Sequence, residues 1–284
     1  MVYFLIGLLC AAAVFFLCAA LYDSNRFAVR EYHIRCRGLK RKYRFVMLSD
    51  LHNKCYGKHN EKLLAAIEEQ KPESILIAGD MLTSETPERF GPALELVEKL
   101  AERYPVYYAN GNHEYRMKTE EAHYGTGYRR YHARLERKGV VFLENDSVLL
   151  PEAGIRIYGV EIGREYYKKL KGTPMDGRYL KKLLGKPSKG DYHILIAHHP
   201  DYFTAYADWG ADLVLSGHVH GGIMRLPLLG GVISPTLRLF PKYDGGLFQE
   251  GSSTMILGRG LGSHTVPIRI FNPGELVVAE LEPQ

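Results

Sequence analysis

The chain has 284 residues, of which 46% are hydrophobic and 24% are charged, and these proportions exclude an intrinsically disordered protein. The formal net charge is +5, but the excess is local, because eight basic residues crowd into the stretch 26–44. We therefore expect no nucleic-acid partner. The four cysteines form no CxxC pair, which argues against a zinc ribbon and a disulfide framework and favours a reducing compartment.

Residues 2–22 carry no charged side chain, and as a helix they would span roughly 30 Å, the thickness of a bilayer core. A cleaved signal peptide would have basic residues before its apolar stretch, whereas here they follow it, and a buried helix of a soluble protein is rarely so free of polar residues. The segment therefore predicts an uncleaved membrane anchor, residues 1–22. The basic juxtamembrane segment and first strand are expected over 23–43, and the bulk of the chain, 44–284, is expected in the cytoplasm.

Past the basic segment, short apolar runs alternate with helical patterns. Five runs are typical of buried strands: RFVMLS (44–49), SILIAG (74–79), VYYA (106–109), HILIA (193–197) and DLVLS (212–216). Residues 59–70 and 90–104 have the apolar spacing of amphipathic helices. Five further runs lack intervening helical patterns and are expected to pair as antiparallel strands: 140–146, 147–150, 155–160, 267–273 and 275–281. The sequence predicts a mixed α/β domain.

Polar, ligand-type side chains follow each of the five buried runs. In chain order the motifs are SDLH (49–52), AGD (78–80), GNHE (111–114), AHHP (197–200) and SGHVH (216–220). Ligands of open α/β sheets bind beyond the carboxyl ends of the strands, so these side chains are expected to converge on one small volume. A single DxH pair or GD turn is common by chance, but five such strand ends together indicate a metal site.

These ordered motifs resemble those of the calcineurin-like metallophosphoesterases. The resemblance continues through GHVHGGIMRLPLLGG, KYDGGLF and GRGLGSHTVPIRIFNPGE to a membrane-anchored bacterial subgroup of the YkuE and YaeI type, and it covers residues 30–281. It implies a four-layer sandwich of two mixed β-sheets flanked by helices, with a binuclear metal centre on one edge of the sheets. It also implies two-metal hydrolysis of a phosphoester.

The resemblance assigns each motif residue a role. It implies one metal held by Asp50, His52 and His220, a second held by Asn112, His198 and His218, and Asp80 as the bridging ligand. His113 matches the family's histidine that contacts a phosphate oxygen or protonates the leaving group. Ligands without thiolate suit manganese, iron or zinc, and we expect manganese.

Three residues near these motifs are expected to have other roles. Glu114 is expected to orient an imidazole of the centre. His199 is read as loop structure in preference to a ligand, and Cys55 as a loop thiol.

The motifs indicate the type of reaction more specifically than they indicate the substrate. The subgroup resemblance points to a lipid-linked or nucleotide-linked phosphoester and to UDP-2,3-diacylglucosamine pyrophosphatase-like activity, with general hydrolysis of soluble nucleotide esters as the alternative. A non-catalytic scaffold is disfavoured, because every expected ligand position is filled. Ile223 departs from the subgroup, where a glutamine commonly follows the two glycines. The apolar stretch 223–241 is read either as a packed connection or as a loop that contacts lipid.

Overall fold

The computed structural model of the chain describes residues 1–85, 90–168, 173–226, 230–233, 239–263 and 267–284. The apolar stretch 223–241 is therefore described only in part. Leu228 and Leu229, the centre of the expected lipid contact, lie outside the described residues.

The described residues form helices and strands in the alternation that the sequence predicts. The helices are α1 (Val2–Ser24), α2 (Glu61–Glu69), α3 (Gly91–Ala101), α4 (Asn112–Thr119), α5 (Glu121–Tyr124), α6 (Gly127–Glu136), α7 (Gly177–Leu184) and α8 (Phe203–Trp209). The first strands are β1 (Phe27–Cys36), β2 (Tyr43–Leu48), β3 (Ser74–Ala78), β4 (Val106–Ala109), β5 (Val141–Phe142), β6 (Asp146–Leu150) and β7 (Ile155–Gly159). The others are β8 (Tyr192–Ile196), β9 (Leu213–Ser216), β10 (Met224–Leu226), β11 (Gly230–Ile233), β12 (Gly246–Glu250), β13 (Ser253–Leu257) and β14 (Gly274–Pro283).

Two six-stranded mixed sheets dominate the domain. The first has the strand order β1-β14-β2-β3-β4-β5, in which β2 to β5 are mutually parallel and β14 runs antiparallel to β2. The second has the order β12-β13-β9-β8-β7-β6, with a parallel centre from β13 to β7 and an antiparallel strand at each edge. Strands β10 and β11 form a separate antiparallel ribbon.

The sheets pack face to face because the strand side chains alternate between two apolar environments. In β2, Phe45 and Met47 enter the core between the sheets, whereas Val46 and Leu48 enter the core beneath α2, α3 and α6. The second sheet buries its other face against α7 and α8. The predicted four-layer sandwich, with helices outside two mixed sheets, is confirmed.

The five buried strands and the two amphipathic helices lie where the sequence predicts them, within two or three residues at their ends. The antiparallel pairing expected for the runs at 147–150 and 155–160 is confirmed, as β6 with β7. The C-terminal run forms β14, which is antiparallel to β2 but pairs in parallel with β1.

Two of the expected antiparallel strands are wrong. The run 140–146 contributes the two-residue strand β5, which pairs parallel with β4, because the intervening helices α4 to α6 carry the chain across the sheet. Those helices are polar, and only the spacing of the buried Tyr128, Tyr131 and Leu135 signals α6. The run 267–273 makes one isolated bridge, Met224 with Ile270, because prolines at both of its ends cannot donate to a ladder.

Helix α1 is long and apolar enough to cross a membrane. Residues 1–18 are exposed throughout, and the helix is buried only near its C-terminal end, at Ala20 and Asp23. An apolar helix of this length is energetically unfavourable when it is exposed to water, which agrees with the anchor that the sequence predicts.

Candidate metal centre

The residues predicted to hold metal lie where the two sheets meet at the carboxyl ends of their strands. Asp50 and His52 follow β2, Asp80 follows β3 and Asn112 begins α4 directly after β4, so the first sheet supplies four of the seven. The second sheet supplies His198 after β8, and His218 and His220 after β9. The structure brings all seven predicted ligands to one edge, and five of them are buried: Asp50, His52, Asp80, His198 and His220.

Their ligand atoms form two neighbouring groups. In each of the sets Asp50–His52–His220 and Asp80–His198–His218, these atoms all lie within 4.8 Å of one another. Within the first set, Nε2 of His52 and Nε2 of His220 are 3.3 Å apart. Within the second, Nε2 of His198 is 3.0 Å from Oδ2 of Asp80. The two groups correspond to the two ligand sets that the family resemblance implies.

The backbone fixes which ring nitrogen of three histidines faces the centre. Nδ1 lies 3.2 Å from the carbonyl of Leu82 in His52, 2.7 Å from that of Ala78 in His198, and 3.2 Å from that of Gly262 in His220. A carbonyl only accepts, so Nδ1 carries the hydrogen in each ring. Nε2 is then the ring atom directed inward, as in imidazoles that ligate metals.

Several acceptor atoms of the centre face one another. Oδ2 of Asp50 is buried without a hydrogen-bond partner among the described residues. The Asn112 amide oxygen lies 2.8 Å from Nδ1 of His218 and 3.3 Å from Oδ2 of Asp80, both acceptors. With its oxygen and nitrogen exchanged the amide would donate to both atoms, but a cation between these three groups satisfies them without exchange. The donor set fits divalent metal ions.

Buried charge supports the same conclusion. Burial raises the pKa of Asp50 to about 6. Burial also opposes ionisation of Asp80, but the charge of His198, His113 and His52 holds its pKa well below the usual range. Burial disfavours a charged His198, yet Asp80 and Asp50 raise its pKa to about 10. The two carboxylates therefore stabilise positive charge at Nε2 of His198, and a metal ion held by this atom would take the place of its proton.

The backbone of the ligands is strained. Five of the seven have left-handed conformations, with φ of 51° at Asp50, 49° at His52, 53° at Asp80, 74° at His218 and 53° at His220. Each such residue costs on the order of 1–3 kcal/mol, and the strain persists only where the surroundings fix it. The left-handed backbone at these residues turns each side chain sharply away from the direction of the preceding strand and towards the centre.

Two glycines leave room for the carboxylates. A Cβ on Gly111 would collide with Oδ1 of Asp80, and a Cβ on Gly217 would collide with Oδ2 of Asp50. Larger residues at these positions would displace the two acidic ligands.

Glu114 holds the Asp80 turn and makes no hydrogen bond to an imidazole of the described residues. Its carboxylate is buried and accepts from the backbone N–H of Asp80 and of Leu82, each at 2.9 Å, and from that of Gly111 at 3.1 Å. The Tyr108 hydroxyl donates to it at 3.1 Å. The expectation that Glu114 orients an imidazole is therefore wrong: it locks the turn after β3 onto the first turn of α4.

His113 differs from the ligand histidines in its tautomer. Its backbone N–H donates to Oδ1 of Asp80 at 2.9 Å, and its Nδ1 accepts from the backbone N–H of Ser84 at 2.9 Å. Nε2 must then carry the hydrogen, which makes this ring a donor. It lies edge-on to His52, with the ring centroids 5.1 Å apart.

His199 and Cys55 are placed as the sequence suggests. Nδ1 of His199 accepts from the backbone N–H of Asp201 and caps the short helical turn Pro200–Tyr202, so His199 belongs to the loop structure. The Cys55 thiol is exposed.

A polar clamp behind His220 is absent from the sequence predictions. Arg269 is 2% exposed, and its guanidinium donates to the carbonyls of His220 at 3.3 Å, Arg259 at 2.8 Å and Gly260 at 3.2 Å. Asn272 donates to the His220 carbonyl at 2.8 Å. The available signal is two hydrogen-bonding side chains inside the otherwise apolar run PIRIFNP, which is unusual for a buried strand.

Comparison with known proteins agrees with this geometry. Residues 43–222 match the family model of the calcineurin-like phosphoesterases. The chain is 28% identical over 244 residues to the metallophosphoesterase YkuE of Bacillus subtilis (strain 168), covering 84% of this chain and 79% of that protein. It is 27% identical over 223 residues to the phosphodiesterase YaeI of Escherichia coli (strain K12), covering 78% and 76%. It is also 28% identical over 244 residues to a transmembrane protein with metallophosphoesterase domain of Danio rerio, covering 82% of this chain and 52% of that protein.

We predict that Glu114→Gln weakens metal binding by roughly 10- to 100-fold, as loss of a group that supports the ligands commonly does. The glutamine keeps one acceptor oxygen but turns an NH2 group towards a backbone N–H, so the Asp80 turn loses at least one hydrogen bond. Titration with Mn²⁺ followed by calorimetry measures the effect. The partly exposed α5 residue Glu121, changed to Gln, is the control, and equal affinities in the two variants would contradict the role assigned to Glu114.

Proposed function

The chain belongs to the calcineurin-like phosphoesterase family, and we propose that it is a binuclear metal-dependent hydrolase of a phosphodiester or pyrophosphate bond, anchored to a membrane. Family membership makes it a hydrolase acting on phosphoester bonds. The proposal rests mainly on one observation. Acceptor atoms of Asp50, Asp80 and Asn112 lie close to one another and to the inward-facing imidazoles at one edge of the sheets.

In this proposal Asp50, His52 and His220 hold one ion and Asn112, His198 and His218 the other, while Asp80 serves both. Asp80 suits that role because it shares one group of ligand atoms with His198 and His218 and another with His52 and His113. Asp50 also lies between the sets, with Oδ1 3.6 Å from Nε2 of His220 and 3.8 Å from Nε2 of His198. We propose manganese, with iron or zinc as alternatives, because the ligands are carboxylate, imidazole and amide.

When bound, such a pair of ions activates water and neutralises charge on the phosphoryl oxygens. The chain's own residues prepare the site for this. The carbonyl contacts of His52, His198 and His220 fix the rings before substrate arrives, and Glu114 and Arg269 fix the turns that carry Asp80 and His220. This preorganisation limits the movement needed during the reaction.

His113 is the proposed catalytic donor. Its Nε2–H, fixed by the Ser84 contact to Nδ1, is suited to donate to a phosphate oxygen or to give its proton to the departing oxygen of the ester. Ser84 is itself held by Nη1 of Arg116, which donates to its hydroxyl at 3.3 Å.

The finer proposal for the substrate is a lipid-linked nucleotide ester, with UDP-2,3-diacylglucosamine as the trial compound. The membrane-crossing length of α1 and the similarity to YkuE and YaeI, which suggests the membrane-anchored subgroup, support it. The competing proposal is a general phosphodiesterase for soluble nucleotides, supported by the name of YaeI as a phosphodiesterase. Screening the Mn²⁺-loaded protein against lipid-linked and soluble phosphoesters decides between them, because only the first predicts a preference for the lipid-linked compounds.

We predict that Asp80→Asn loses one or both ions and abolishes hydrolysis while the fold remains. Asparagine keeps the size of the side chain but removes its charge and one acceptor oxygen. Elemental analysis, turnover and circular dichroism measure the three quantities, with Asp146→Asn on the exposed strand β6 as the control. Two retained ions with normal turnover would overturn the assignment of Asp80.

His113→Ala is expected to lower turnover by roughly 10² to 10⁴, the range of general acid catalysis, without a matching loss of metal. The loss should shrink for a nitrophenyl ester, since nitrophenolate leaves without a proton. His123→Ala, on the exposed face of α5, is the control. If all substrates lose the same factor, His113 orients the phosphate and does not protonate the leaving group.

We also propose that residues 1–22 anchor the protein, that 23–43 form the basic juxtamembrane segment and the first strand, β1, and that the domain 44–284 is cytoplasmic. The eight basic residues of the stretch 26–44 follow the apolar helix, which favours retention of that side in the cytoplasm. A reporter fused after residue 284 should be active as a cytoplasmic reporter and silent as an exported one. The reverse pattern would place the domain outside.

A further inference from the structure

The proposed anchor contacts the domain at the loop that clamps His220. The Ser24 hydroxyl, at the end of α1, accepts from the backbone N–H of Arg269 at 3.1 Å, and the Ser24 carbonyl accepts from Lys54. The Phe271 ring lies 6.2 Å from the ring of Phe15 and 6.3 Å from that of Phe16, measured between centroids. The loop around Arg269 therefore contacts α1 at its C-terminal end, at Ser24, and further towards its N-terminus, at Phe15 and Phe16.

The end of α1 has the composition of a membrane–water interface. Arg26 forms an ion pair with Asp23 at 2.8 Å, and its guanidinium lies 4.6 Å from the centre of the Tyr22 ring. Tyrosines with neighbouring cations are typical of the headgroup level, so this level lies near residues 22–26.

Phe271 lies deeper than this level. Phe16 precedes Ser24 by eight residues, which corresponds to roughly 12 Å along the helix axis. Phe271 packs against Phe16 and is nevertheless 40% exposed, and Ile268 of the same loop is 42% exposed. Phe271 has a φ of 53°, a strained value for a bulky residue, and such strain is kept where the position of the side chain matters.

We propose that the loop 267–272 inserts Phe271 and Ile268 into the bilayer beside α1, so that the membrane surface is a partner of the edge that carries the metal centre. The inference rests on the proposed anchor, because a helix in water would give these side chains no apolar environment. The ribbon β10–β11, which the Met224–Ile270 bridge joins to this loop, continues the membrane-facing edge.

Insertion of the loop would fix the distance between the catalytic site and the membrane surface. Arg269 and Asn272 of the inserted loop both hold the His220 carbonyl, so the loop and the metal-binding turn form one packed unit. The Lys54 contact to Ser24 likewise ties the loop after His52 to the headgroup level. The site then lies at the membrane surface, where the phosphate of an amphiphilic ester with acyl chains resides.

Quenching of tryptophan fluorescence by brominated lipids tests this insertion. The full-length protein is placed in phosphatidylcholine–phosphatidylglycerol nanodiscs with bromine on the acyl chains, and the emission added by each of Phe271→Trp and Ile268→Trp is measured. Val141→Trp and Leu247→Trp are matched controls, since these residues are 41% and 46% exposed but lie on the outer edge strands β5 and β12. Trp209, the native tryptophan, is buried against the second sheet and gives a constant background.

Leu9→Trp, in the middle of α1, reports on the anchor itself. We expect the emission of Phe271→Trp and Ile268→Trp to be quenched nearly as strongly as that of Leu9→Trp, and that of both controls to be unchanged. If Leu9→Trp is quenched while the two loop variants behave like the controls, the anchor stands and the insertion is refuted. If Leu9→Trp is not quenched either, the anchor proposal fails and the insertion fails with it.

Discussion

The burial of two carboxylates, Asp50 and Asp80, at the edge of two sheets is the constraint on which the rest of the structure depends. They are 0% and 1% exposed and stand beside imidazoles whose Nε2 atoms face inward. Charged and acceptor groups in a low-dielectric environment cost several kcal/mol unless a counter-charge satisfies them. Divalent metal ions held at this edge would supply that counter-charge.

This arrangement requires strained backbone conformations at five of the predicted ligands, and both sheets contribute to holding those residues in place. Parallel strands β2, β3 and β4 bring one half of the ligands and β8 and β9 the other, so the centre forms only when the sheets pack face to face. Glu114 stabilises the turn after β3 and Arg269 the turn after β9. These buried polar contacts hold the two turns in place, and preorganised groups of this kind are what electrostatic catalysis requires.

The apolar runs predict the mixed α/β domain and the five strand ends, because buried parallel strands have continuous apolar runs and ligand-type residues collect at their carboxyl ends. The four layers and the grouping of the ligands are implied by the family resemblance and do not follow from the pattern alone. The sequence does not predict the left-handed turns, since Asp50 and His220 adopt them only through tertiary contacts. Glu114 looks like a ligand partner in a linear motif, and its bonds to backbone N–H groups appear only when β3 and α4 are adjacent. Arg269 lies in a run whose pattern is typical of a strand, so its contact with His220 is not evident from the sequence. The contact of Phe271 with α1 joins residues about 250 positions apart in the chain, which no local pattern indicates.

The central claim is that two metal ions occupy this edge, and anomalous X-ray diffraction from crystals grown with Mn²⁺ tests it most directly. The account predicts two anomalous peaks roughly 3.5–4 Å apart, the spacing of two-metal hydrolases. One should lie among Asp50, His52 and His220 and the other among Asn112, His198 and His218, with Asp80 in contact with both. A single peak, or peaks away from these side chains, would contradict the binuclear centre.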